Sequence, residues 1–206
     1  MTTLKKQSSV PEVLEPLQHA AKDAGFTMMS DPLTGNLLAS LASSKPGGRL
    51  LELGTGVGLG TAWLLSGMDE AARLETVEVN SDLAQIAEEH LGRDQRLTIH
   101  TEDGLEYLKR TQGQSFDLIF ADAKPGKIDQ PELALNLVTP GGFYIIDDLN
   151  LAWKEQDEIY EPDDYILNVW RGQRRVIEML GARDDFICTE LRWSTGLMVC
   201  TKKVAS

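Results

Sequence analysis

The chain has 206 residues, of which 42% are hydrophobic and 25% charged, and its formal net charge is −12. These are the proportions of an ordinary globular protein with room for a real core, and one domain is expected. The acidic balance argues against partners bound through nucleic-acid phosphates or an anionic membrane surface. No apolar stretch approaches the roughly 18 residues of a membrane span, and Lys5 and Lys6 are not followed by the apolar run of a secretory leader. Cys188 and Cys200 are too few for a disulfide scaffold and lack metal or redox spacing. They read as two core thiols in a reducing, cytoplasmic setting.

Residues 1–9 are polar. From Pro11 to Ala24 the positions of Val13, Leu14, Leu17, Ala20 and Ala21 predict a helix that Gly25 ends. Asp31 suits the cap of a second helix over Leu33–Ala42. The chain then alternates. Strands are expected at Arg49–Leu53, Leu74–Val79, Leu97–His100, Phe116–Ala121 and Gly142–Asp147, with Pro140-Gly141-Gly142 as a turn feeding the last. Helical patterns lie between them at Leu59–Gly67, Ser81–Leu91, Gly104–Thr111 and Gln130–Val138. This alternation means βαβ units and a parallel sheet covered on both faces. An amphipathic helix follows at Tyr165–Leu180. Phe186–Leu191 and Gly196–Thr201 read as an antiparallel pair at the sheet edge.

The first strand breaks into Gly54, Gly56, Gly58 and Gly60 just ahead of a helical pattern. Gly permits positive φ and close approach of a ligand, and a helix N-terminus offers free N–H groups. The turn is a cradle for the polar part of a small molecule. It is not a dinucleotide fingerprint: G-x-G-x-x-G needs Gly where Leu59 or Thr61 stands. In an open α/β sheet, ligands bind at the carboxyl ends of the strands. Glu78 ends the second strand, where its two oxygens can accept both hydroxyls of a ribose. Asp103, before Gly104, suits the cap of the following helix. Asp122 follows the fourth strand, and Asp147 and Asp148 follow the fifth. If the fourth and fifth strands are neighbours, the three carboxylates would converge and repel unless something positive joined them; a hard divalent cation suits oxygen ligands, and a set of caps and solvated loop acids is the plain alternative.

The frame Glu52-x-Gly54-x-Gly56-x-Gly58 resembles motif I of the class I S-adenosylmethionine-dependent methyltransferases. With Glu78, Asp103-Gly104, 116–124 and 140–148, the likeness narrows to the cation-dependent O-methyltransferases, which include catechol and caffeoyl-CoA O-methyltransferases. It covers roughly residues 28–148, and Met28–Asn36 looks like the family segment that lies over the cofactor. The resemblance implies a Rossmann-like α/β fold, a mostly parallel seven-stranded sheet with an antiparallel C-terminal strand pair. Residues 1–45 would cap the cofactor and acceptor site, and 46–206 would form the core.

What the resemblance implies for the site follows residue by residue. S-adenosylmethionine would be held by Ser30, Glu52, Gly54, Thr55, Gly56, Gly58, Glu78, Val79, Asp103, Gly104 and Asp122. Mg²⁺, Ca²⁺ or Mn²⁺ would be held by Asp122, Asp147 and Asp148, although Asp148 stands where the family has Asn. The family's general base is a Lys three residues after the first metal Asp. Position 125 is Pro, so Lys124 and Lys127 are both candidates beside Asp122, with a solvated loop charge the plain alternative for each. The partner would be a small, phenolic or catechol-like acceptor, and homodimers are common in the family. Trp153 and Trp193 suit an acceptor wall no better than they suit packing. Two other readings stay open: a metal-independent or nitrogen-directed methyltransferase, and a non-catalytic module that binds the cofactor.

Overall fold

A computed structural model describes residues 10–149 and 164–204. Seven strands form one sheet: Arg49–Leu53 (β1), Arg73–Glu78 (β2), Leu97–Thr101 (β3), Phe116–Ala121 (β4), Val138–Ile146 (β5), Phe186–Leu191 (β6) and Leu197–Lys202 (β7). Their spatial order is β3-β2-β1-β4-β5-β7-β6. The first five run parallel, and β7 is antiparallel to both β5 and β6. The helices are Leu14–Asp23 (α1), Pro32–Ser43 (α2), Leu59–Gly67 (α3), Ser81–Leu91 (α4), Gly104–Arg110 (α5), the single turn Lys124–Lys127 (α6), Pro131–Asn136 (α7) and Asp164–Gly181 (α8). Among the described residues no helix is long and apolar enough to cross a membrane.

Strand alternation sorts the core into two layers. Leu50, Leu74, Leu118, Phe120 and Ile145 face α1 to α4, with Leu17, Leu38, Trp63 and Leu64 packed on them. Leu51, Leu53, Val77, Ile119, Tyr144 and Ile146 face the other way, against Leu108, Leu135, Val176 and Leu180 of α5, α7 and α8. Each such side chain contributes about 1.5–3 kcal/mol by leaving water. Helix α3 is buried all round because it lies between the sheet and the two N-terminal helices. There α2 and α3 approach so closely that a Cβ on Gly35 would lie 2.2 Å from the Trp63 indole nitrogen.

Three sequence expectations need correction. Pro140-Gly141-Gly142 is not a turn before β5 but lies inside it. Phe116 pairs with Val138 and Leu118 with Phe143, so the intervening residues bulge out of the ladder. The same pairing ends α7 early: Leu137 accepts from the Phe116 amide at 2.7 Å, which draws Leu137 and Val138 out of the expected helix. Finally, Cys188 and Cys200 stand directly opposite each other on β6 and β7 and form a disulfide. Cross-strand register brings them together, and free thiols no longer support a reducing compartment.

Candidate active site

The strand order reverses at β1, so the chain leaves β1 and its neighbour β4 toward opposite faces and opens a crevice at their carboxyl ends. A cavity of about 660 Å³ lies there. It brings together Ser30, Gly54, Thr55, Gly56 and Glu78 on one side and Asp122, Lys124, Lys127, Asp147 and Asp148 on the other.

The first side is a turn braced from below. Gly54 has φ +100° and lies so close to the β4 tip that a Cβ would meet the Asp122 carbonyl oxygen at 3.0 Å. Gly56 has φ +53°, and a Cβ there would press on the Phe26 ring at 2.9 Å. The Gly56 amide donates to Glu78 Oε2 at 2.8 Å, and the Asn80 amide donates to Glu78 Oε1 at 2.9 Å. Each oxygen keeps acceptor capacity toward the cavity.

Glu52 lies beneath the turn rather than in the cavity wall. Thr61 and Thr76 hydroxyls donate to its Oε2 at 2.5 and 2.7 Å, while Oε1 is buried with no partner among the described residues. Burial pushes this carboxyl up to about 7, against the two hydroxyls that lower it. Glu52 therefore belongs to the foundation of the turn.

Four other residues singled out in the sequence also lie outside the cavity lining. Gly58 caps α3 and faces Ala87 and Leu91 of α4. Val79 projects outward, 70% exposed. Asp103 accepts from the Leu105 and Glu106 amides and so caps α5. Gly104 abuts Pro125.

The second side is a cluster of charges. Lys127 is almost wholly buried, and its ammonium lies 3.1 Å from Asp148 Oδ2 and 3.4 Å from Asp122 Oδ1. Asp147 Oδ1 accepts from the Thr195 hydroxyl and, at 2.7 Å, from the Asp148 amide. Asp148 has φ +60°, a left-handed conformation that Asp and Asn tolerate better than most residues. Its carbonyl accepts from the Gln173 side-chain amide. Burial raises the Asp122 carboxyl well above its ordinary range, against the attraction of Lys127, and the Asp147 carboxyl is raised for the same leading reason. The Lys127 ammonium is held above its ordinary value because the facing carboxylates outweigh its burial.

These residues do not fit the divalent cation implied by the resemblance. The position between Asp122 and Asp148 is filled by the Lys127 ammonium. Asp147 spends one oxygen on Thr195 and its own neighbour. Among the described residues no group of three His, Cys, Asp or Glu side chains is placed to hold a metal ion.

Several lining residues carried little sequence signal. Phe26, Thr27, Met28 and Met29 form the rim over the glycine turn, with Met28 78% exposed. The Met28–Asn36 segment was legible through the resemblance, but the packing of Phe26 against Gly56 was not. Gln173 and Val169 of α8 reach the cavity from far along the chain, and Thr195 arrives from the β6–β7 turn. Val169 was legible only as part of an amphipathic helix, and nothing in the spacing of Gln173 or Thr195 marked them for the cavity. Trp153 lies outside the described residues.

Comparison with known proteins points to methyltransferases. The model of a family described as a methyltransferase domain matches residues 51–149. A protein of Mycobacterium avium named "Putative O-methyltransferase" is 30% identical over 149 residues, spanning 68% of this chain and 66% of its own length. A protein of the same name from Mycobacterium ulcerans is 30% identical over 65% of this chain and 62% of its own length. The chain thus spans just under two thirds of these curated relatives. Among solved structures, the O-methyltransferase of Bacillus cereus in complex with SAH is 25% identical with a TM-score of 0.81, covering 98% of this chain and 94% of that one. The O-methyltransferase TomG of Streptomyces achromogenes, in complex with SAM, is 27% identical with a TM-score of 0.79, covering 98% and 92%. Together with the fold, these likenesses make the chain similar to class I S-adenosylmethionine-dependent methyltransferases of the O-methyltransferase type.

Proposed function

We propose that the chain transfers the methyl group of S-adenosylmethionine to a hydroxyl of a small, phenolic acceptor. The observation that carries this reading is the joined cradle at the β1 turn. The Gly56 amide is tied to Glu78 at the tip of β2, so a carboxylate able to accept ribose hydroxyls and a close-approach glycine face one cavity. The SAM and SAH in the two O-methyltransferase structures just described support the same ligand here.

In this reading Glu78 accepts the ribose hydroxyls, and the methionine part lies over Gly54 toward Asp122. The acids suit a ligand bearing a sulfonium and an ammonium. Transfer breaks the bond from methyl carbon to sulfur and forms one to the acceptor oxygen, leaving a neutral thioether. It needs that oxygen in line, about 3 Å from the methyl. A free phenol titrates near 10 and is a weak nucleophile at neutral pH. Its proton must go to a base as the oxygen attacks. Asp122 and Asp147 line the cavity and are held above the ordinary carboxylate range, which suits them to receive it.

The test is turnover. The protein is incubated with S-adenosylmethionine and separate panels of phenols, catechols and amines, and S-adenosylhomocysteine is followed. Product with a hydroxyl acceptor supports the reading. Product only with amines moves it to nitrogen, and a protein that neither binds nor consumes the cofactor overturns it.

A further inference from the structure

We infer that Lys127 is a built-in cation that takes the place of a divalent metal among Asp122, Asp147 and Asp148. This deepens the methyltransferase reading and, for its part in catalysis, rests on it.

A buried ammonium is costly unless it is paired, and grouped carboxylates repel one another unless a positive charge lies among them. Here each need answers the other. The Lys127 side chain is only 9% exposed, and its ammonium bridges Asp122 and Asp148.

The placement is built into the fold. The turn that carries Lys127 is closed by the Ile128 and Asp129 amides donating to the Lys124 carbonyl and by the Gly126 amide donating to Asp129, all at 2.9 Å. The Tyr144 hydroxyl, buried in the sheet, donates to the Gly126 carbonyl. Gly126 has φ +71°, and a Cβ there would strike Leu53 at 2.5 Å. A lysine on a solvated loop needs none of this support. The turn is pinned on β1 and β5, and Lys127 is aimed from it into the acids.

The substitution changes what the site can select. A divalent ion chelates two neighbouring oxygens at once. One ammonium is a compact point charge that hydrogen-bonds oxygens singly. It would orient and stabilise a single developing oxyanion while remaining protonated throughout, the acceptor's proton passing to a carboxylate. The acceptor class that fits is therefore an isolated hydroxyl, with no requirement for a vicinal diol or catechol.

The test is direct metal binding, read by Mn²⁺ paramagnetic resonance on the full chain, with calorimetry of S-adenosylmethionine on the same samples. Wild-type protein is expected to leave Mn²⁺ free up to millimolar concentration. Lys127→Ala, and Lys127→Met in case the alanine variant does not fold, are expected to gain a single Mn²⁺ site. That gained site should be lost again on adding Asp147→Asn. One Mn²⁺ bound by the wild type at micromolar concentration, and lost in Asp147→Asn, overturns the inference. So does a folded Lys127 variant that stays silent. A wild type that binds neither Mn²⁺ nor S-adenosylmethionine fails the functional reading and leaves the built-in cation standing. One that binds both fails only the cation.

Discussion

The backbone N–H of Gly56 donates to Glu78 Oε2 across 2.8 Å, tying the turn after β1 to the tip of β2. The carboxylate is thereby held beneath the place where a ribose would lie, instead of swinging into water. Replacing it removes both an acceptor pair and the brace on the turn. Glu78→Ala should raise KM for S-adenosylmethionine by roughly 10- to 100-fold, the range for losing hydrogen bonds to a charged group. Because this binding is shared by ground state and transition state, kcat should change much less. Steady-state kinetics at saturating acceptor separates the two.

Lys127 is placed to hold the acidic half of the cleft together. Lys127→Ala should cost about 2–4 kcal/mol in urea unfolding. The value sits at or below the usual cost of breaking a buried pair because Asp148 remains 57% exposed and water can screen it. A loss under about 0.5 kcal/mol would be the behaviour of a solvated loop charge.

Glu52 makes stability depend on pH. Its folded value, about 7, lies above the ordinary 4.5, so the folded state binds the extra proton between them. The stabilisation is complete below about 4.5 and is lost as pH rises through about 7. Glu52→Gln keeps an acceptor for Thr61 and Thr76 but cannot ionise. The difference in unfolding free energy between wild type and Glu52→Gln should therefore drift against the wild type from pH 4.5 to 7. The drift should be on the order of 3 kcal/mol at most. Other groups titrate in both proteins and cancel to first order in the comparison.

Gly35 sets the spacing of α2 and α3. Gly35→Ala would drive a methyl into the Trp63 indole, with 2.2 Å available, and should cost about 1–3 kcal/mol as overpacking. Its neighbour Thr34 meets the hydroxyls of Ser194 and Thr195, and Thr195 donates to Asp147. The strain should therefore also be felt in the acidic half of the cleft. Denaturant midpoints measure the first effect.

How much of this was legible in the sequence depended on whether the signal was local. The bounds of β1, β4 and β6 agree with the structure because each is a short run flanked by turn residues or charge. The Gly54 turn was legible because a strand, a glycine cluster and a helix follow one another within a few residues. The start of β5 was not, because Pro140-Gly141-Gly142 carries the local signature of a turn and only pairing with β4 turns it into a bulge. Lys127 was open to a solvated reading for the same reason: Tyr144 and Leu53, which pin its turn, are distant in sequence. Gln173 and Thr195 reach the cleft through tertiary packing alone.

The most direct test of the central claim is calorimetric titration of S-adenosylmethionine into the wild type, Gly56→Val and Glu78→Ala. The cradle at β1 and β2 predicts one molecule bound per chain and affinity at least about tenfold weaker in each variant. No binding by the wild type, or equal affinity in all three, would contradict it.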